Sequence, residues 1–265
     1  MKHQNCVVTI SLLAIASTLF AADRPITQAF VASASGQFGT ANPTTGQFML
    51  VGFTPKVLSG LGIGPKKAIY GLDADNNLVT VNPQTAAATV VGGIGLPVQP
   101  NGNVTLFTSL GNGRLFAVDP FNKLYSINPS TGHAALIGST GIPVPDFANC
   151  NCVTANSLAG AEGHLYFTFE VDDLASGKPT TPSALYRIDS FTAVTNKVGA
   201  TNAHAPIVGS VFIDGRLYGF TFGIPVNQPN EILSIDLETA ATAFVSNQAT
   251  SLDPVFGATE ATRQD

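Results

Sequence analysis

Five stretches of this chain repeat one another in register, and a chain built that way buries no stretch without the help of its neighbours. Each stretch is anchored by an Asn or Asp that follows an apolar residue: Asn42, Asn82, Asn128, Asp189 and Asp236. Three positions on stand Thr45, Thr85, Thr131, Thr192 and Thr239. The next residue is always small: Gly46, Ala86, Gly132, Ala193 or Ala240. Nine positions after the anchor come Val51, Val91, Ile137, Val198 and Val245, each followed by Gly52, Gly92, Gly138, Gly199 or Ser246.

The pattern predicts a hairpin. In the stretch Asn128-Pro129-Ser130-Thr131-Gly132 the Asn side chain accepts from backbone donors ahead of it, Pro presets φ, and Gly permits a left-handed exit. Ala at three of the five exit positions predicts that a positive φ is not required there. Strands flank the turn, as at 124–127 and 135–137 or 232–235 and 243–245. A further strand with an aromatic at its second position precedes each of the last four hairpins, at 69–72, 115–118, 165–168 and 217–220. Upstream again lie 57–61, 104–107, 157–160 and 207–211, rich in small residues that suit an innermost strand.

The two ends complement each other. The first repeat starts at Ala29-Phe30-Val31-Ala32 without an inner strand, and Val255-Phe256-Gly257-Ala258-Thr259 is an inner strand with nothing after it. Joining them predicts an all-β fold: a five-bladed β-propeller of four-stranded blades, the ring closed by pairing the C-terminal inner strand with the N-terminal blade. An open β-sandwich with chance repeats is the competing architecture.

The stretch Leu124-Tyr125-Ser126-Ile127-Asn128-Pro129-Ser130-Thr131-Gly132 is an LYxIN-PxTG motif that resembles the repeats of secreted bacterial β-propellers. The resemblance spans nearly the whole chain after its first residues and implies a blade architecture. It implies no function, because the motif is structural. The chain contains no Trp, so the WD40 dipeptide and the Trp-containing quinoprotein repeat are missing.

Met1-Lys2-His3, the apolar run Cys6 to Phe20 and Ala21-Ala22 have the form of a secretory signal over residues 1–22, which leaves 23–265 as one domain and predicts a secreted or periplasmic protein. The run is too short to span a bilayer, so no membrane-embedded domain is expected. A net charge of -5 leaves no basic stripe for nucleic acid. After the signal the cysteines are Cys150 and Cys152, and export predicts a disulfide between them.

Candidate ligand contacts fall on the loops expected to form one face: Asn101, Asp146, Asn156, Glu170, Asp172 and His204. Three readings follow from them. The first is an exported module that binds an extracellular or periplasmic protein or glycan. The second is a carbohydrate hydrolase using the carboxylates of the Asp146 and Glu170 loops. The third is a structural surface module without a small ligand. No cofactor is expected, although Glu170-Val171-Asp172-Asp173 offers oxygens to Ca²⁺. No nucleophile elbow occurs, and His133, His164 and His204 do not form a recognisable triad.

Overall fold

The computed structural model describes residues 28–98, 104–147, 149–173, 175–176, 178–223 and 230–261. Residues 1–22, expected to be a secretory signal, and Asn101 lie outside these residues. Strands β1 (Ala29–Ser33), β2 (Gln37–Ala41) and β3 (Phe48–Phe53) carry the first repeat. The second is β4 (Leu58–Ile63), β5 (Ile69–Asp73), β6 (Asn77–Val81) and β7 (Ala88–Gly93). The third is β8 (Leu106–Ser109), β9 (Leu115–Val118), β10 (Lys123–Ile127) and β11 (Ala134–Ser139). The fourth is longer: β12 (Cys152–Ala161), β13 (His164–Asp173), β14 (Lys178–Ile188) and β15 (Thr195–Ala200). The fifth is β16 (Ile207–Ile213), β17 (Arg216–Thr221), β18 (Glu231–Ile235) and β19 (Thr242–Asn247), and β20 (Val255–Glu260) follows it.

The fold is all-β, but it is not five separate four-stranded blades. The strands form four sheets in the orders β20-β1-β2-β3, β11-β10-β9-β8-β4-β5-β6-β7, β12-β13-β14-β15 and β16-β17-β18-β19. The second and third repeats share the eight-stranded sheet through one parallel bridge, Gly60 with Phe107. Glycine permits this bridge, because a Cβ on Gly60 would overlap the Phe107 carbonyl oxygen. The complementary ends pair as the sequence predicts, with Ala29 opposite Glu260 and Val31 opposite Ala258. Strand β20 packs on β4, β4 on β8, β8 on β12, β12 on β16, and β16 on β20.

Each recurring residue has a physical task. The anchor carbonyl accepts the amide four residues on, as in Ala86 to Asn82 at 2.9 Å and Ala240 to Asp236 at 2.9 Å. The anchor side chain takes the amide two residues on, at 2.8 Å from Gln84 and from Ser130 and at 3.0 Å from Phe191. The Thr hydroxyl accepts the amide two residues further, at 3.3 Å in Ala87, His133, Val194 and Ala241. The Thr hydroxyl also donates to the anchor carboxylate, at 2.8 Å in Asp189 and Asp236, and this bond, followed by those from the backbone amides, lowers the pKa of both acids from the usual carboxylate value.

One sequence expectation is overturned here. All five exit residues have positive φ: 70° at Gly46, 60° at Ala86, 80° at Gly132, 62° at Ala193 and 66° at Ala240. The three alanines accept that strain because their methyl groups are fully buried against the preceding repeat. A Cβ on Gly52, Gly138 or Gly199 would lie 3.1, 3.2 or 3.2 Å from the methyl of Ala86, Ala193 or Ala240. Gly92 meets Gly132 in the same way. At the fifth boundary Ser246 donates to the Pro43 carbonyl at 2.9 Å, beside Gly46. The small residues of the repeat are therefore the contact points between neighbours.

The core is divided accordingly. Five apolar clusters each straddle two successive repeats, as where Phe116 and Leu124 pack with Leu165 and Phe167, or Val31 with Val211 and Phe220. Such burial contributes roughly 25 cal/mol per Å² of apolar area. No helix among the described residues is long and apolar enough to cross a membrane.

Candidate functional site

Three of the inner strands carry a bulge at the same place. In β4, Leu58 pairs with Asp73 and Gly60 with Leu72, which leaves Ser59 unpaired. Val208 is skipped likewise in β16, and Phe256 in β20. A bulge re-aims a side chain, and all three of these residues line one cavity of about 430 Å³ at an end of the axis enclosed by the inner strands. Leu106 of β8 and Val153 of β12 line it too, so all five inner strands contribute. Its wall is mostly apolar, completed by Phe222 from the β17 side. The sequence signal for these positions is a residue followed by Gly in an inner strand, at Ser59-Gly60, Val208-Gly209 and Phe256-Gly257; the emphasis on loops missed it.

Apart from Ser59, the polar part of the cavity comes from β12 and β13. Asn156, Asp172 and Asp173 line it, and Asn156 donates to Thr154 at 3.3 Å. Glu170 and Asp172 are two residues apart on β13 and share a face of the sheet. They were expected on a solvated loop, but they lie within a strand and are only 6% and 5% exposed. Next to them β14 departs from regular pairing: Phe169 pairs with Ala184, whereas Val171 pairs with Thr181. Pro182 has no amide to give the ladder, and the extra residues bring the Ser183 hydroxyl to Glu170.

The two carboxyls are in hydrogen-bond contact. Burial, then the hydrogen bond and charge of Asp172, push the Glu170 carboxyl up to about 8, against a smaller opposing pull from Ser183. Burial also raises Asp172. Among the described residues no ion pair involves either acid, and Oδ1 of Asp172 is buried without a hydrogen-bond donor. Glu170 lines a second cavity, of about 270 Å³, together with Ser183, His204 and Pro206. Pro206 also borders the axial cavity, so the acid pair sits between the two.

No protein-family model matches the chain, and no curated protein matches it. Asn156, Glu170, Asp172 and His204 gather around the two adjoining cavities. Asp146 does not join them: it lines a third cavity, of about 530 Å³, beside the disulfide Cys150–Cys152, whose Cα atoms are 5.2 Å apart. Its carboxylate accepts from Asn149 at 2.6 Å, and its carbonyl accepts the amides of Asn149 and Cys150 at 2.9 Å. Asn101 lies outside the described residues. No group of three or more His, Cys, Asp or Glu placed to hold a metal ion occurs among the described residues.

The acid pair gives the stability a pH dependence. Between pH 4.5 and about 8 the folded chain keeps a proton on Glu170 that the unfolded chain has released. The unfolded state then binds fewer protons, so stability is fully present below that window and is lost as pH rises through it. Glu170→Gln supplies an amide donor to Asp172 without a proton to lose. Relative to this variant, the native chain is expected to lose about 1 kcal/mol or more between pH 5 and pH 8.5. Melting temperatures of both chains across that range check it; parallel curves would reject the buried pair.

Proposed function

We propose that this chain is an exported binding module that takes a small, largely apolar ligand, or an apolar group of a protein or glycan partner, in its axial cavity. The observation that carries the reading is the cavity itself, into which bulges in three inner strands bring Ser59, Val208 and Phe256. A volume of about 430 Å³ falls in the range of small-molecule sites, which are mainly apolar with a few placed polar groups. Export is supported by the signal-like first residues and by a disulfide, which persists in oxidising compartments.

The hydrolase reading has less support. Retaining carboxyl pairs stand about 5 Å apart and inverting pairs farther, whereas Glu170 and Asp172 touch. Asp146 and Glu170 line different cavities.

A thermal-shift titration with neutral aromatic alcohols, benzyl alcohol to 1-naphthol, tests the binding reading. Ligand at a hundred times its Kd is expected to stabilise the chain by about 2.7 kcal/mol. Val208→Trp, which fills the cavity, is expected to abolish the shift. A shift that persists in that variant would place binding elsewhere, and no shift with any probe would remove the reading.

A further inference from the structure

We infer that the ligand of the axial cavity carries a protonated amine, an ammonium on an apolar body, with its charged end seated at Asp172. The inference rests on the binding reading and adds the ligand's chemical class. Two independent features meet at this place. One is a wall built mainly from Val104, Leu106, Val153, Val208, Phe222 and Phe256, suited to an apolar body. The other is Asp172, which borders the same cavity, is 5% exposed, and has an Oδ1 that accepts from no amide or hydroxyl of the described residues, its carboxyl being hydrogen-bonded to Glu170.

An acceptor buried without a donor is costly, and an ionised one more so. Among the side chains described, the ion pairs join Lys56 to Asp73 and Asp75, and none reaches Asp172. Two carboxyls in contact resist double ionisation, so Asp172 and Glu170 hold one proton between them and carry one negative charge. An ammonium matches that charge and brings three donors. A carboxylate ligand would add a third acid to the site, and a neutral alcohol would leave the charge uncompensated. A Ca²⁺ ion takes six to eight oxygens, which a mainly apolar wall serves poorly.

The test compares three probes of one shape on the full folded chain by calorimetry at pH 7: 2-phenylethylamine, 2-phenylethanol and 3-phenylpropanoate. The amine is expected to bind about tenfold or more tightly than the alcohol, as charge-assisted hydrogen bonds imply, and the carboxylate is expected not to bind. Asp172→Asn is expected to remove the amine's advantage, so that amine and alcohol bind the variant with similar affinity. Equal binding of amine and alcohol to the native chain overturns the amine class while the cavity reading stands, and this comparison needs no variant. Binding of none of the three overturns both. Calcium chloride that competes with the amine in an Asp172-dependent way would reassign the acid pair to a metal and also overturn the inference.

Discussion

A chain ended at Asp253 is expected to lose its cooperative melting transition at ambient temperature. The cut removes β20, whose Val255, Ala258 and Thr259 are buried, and it exposes the edge of β1, all five of whose residues are buried in the intact protein. It also withdraws the strand that packs on both β4 and β16, and with it part of the cluster holding Val31, Val211 and Phe220. Net folding stabilities are only about 5–15 kcal/mol, and the loss of one whole strand with its ladder is of that order. Far-UV circular dichroism and gel filtration read the result. A truncated monomer melting within about 5 °C of the full chain would mean that the ring of inner strands carries little of the stability.

Gly60→Val is expected to be strongly damaging, at about 3 kcal/mol or more. The new Cβ would overlap the carbonyl oxygen of Phe107, with the carbonyl carbon and amide nitrogen of that residue 2.8 Å away. Backbone cannot rotate aside as a side chain can, so the parallel bridge that joins the second and third repeats has to open. At about 2–4 °C per kcal/mol for a domain of this size, the melting temperature should fall by roughly 6–12 °C. Gly111→Ala is the control: its added methyl meets nothing within 4 Å and its φ is not positive, so a change within about 0.5 kcal/mol is expected. Similar losses in the two variants would show that the close approach at Gly60 is not what matters.

The repeat was legible because its residues act locally. Anchor, Thr and exit residue meet one another within a single turn, and the hairpins at Asn82, Asn128, Asp189 and Asp236 stand where their spacing puts them. The pairing of β20 with β1 was legible because a missing strand and a surplus strand matched. The division into sheets was not, since glycines bring inner backbones close at Gly60, Gly160 and Gly209 alike, and only the first of these approaches forms a bridge that joins two repeats into one sheet. The positive φ of Ala86, Ala193 and Ala240 was hidden for a related reason: what compensates the strain is a methyl contact with another repeat. At the site, Glu170 and Asp172 were picked out, but as loop acids. Nothing in their immediate sequence discloses that β13 continues to Asp173 and that Pro182 loosens the strand beside them. The apolar wall was missed because its members, Val153, Val208 and Phe256, are far apart in sequence and read as ordinary strand residues.

The pairing of first and last strands has a consequence for chain connectivity. The amide of Ala261 donates to the carbonyl of Gln28 at 2.9 Å, so the two ends of the described fold already touch. A short linker across that contact, with new termini opened at the exposed turn near Gly95, where an added Cβ would meet nothing, keeps every strand beside its present partners. The order of the repeats around the axis is a property of their contacts, and the point at which the polypeptide starts is interchangeable among them, which makes the molecule a natural subject for circular permutation.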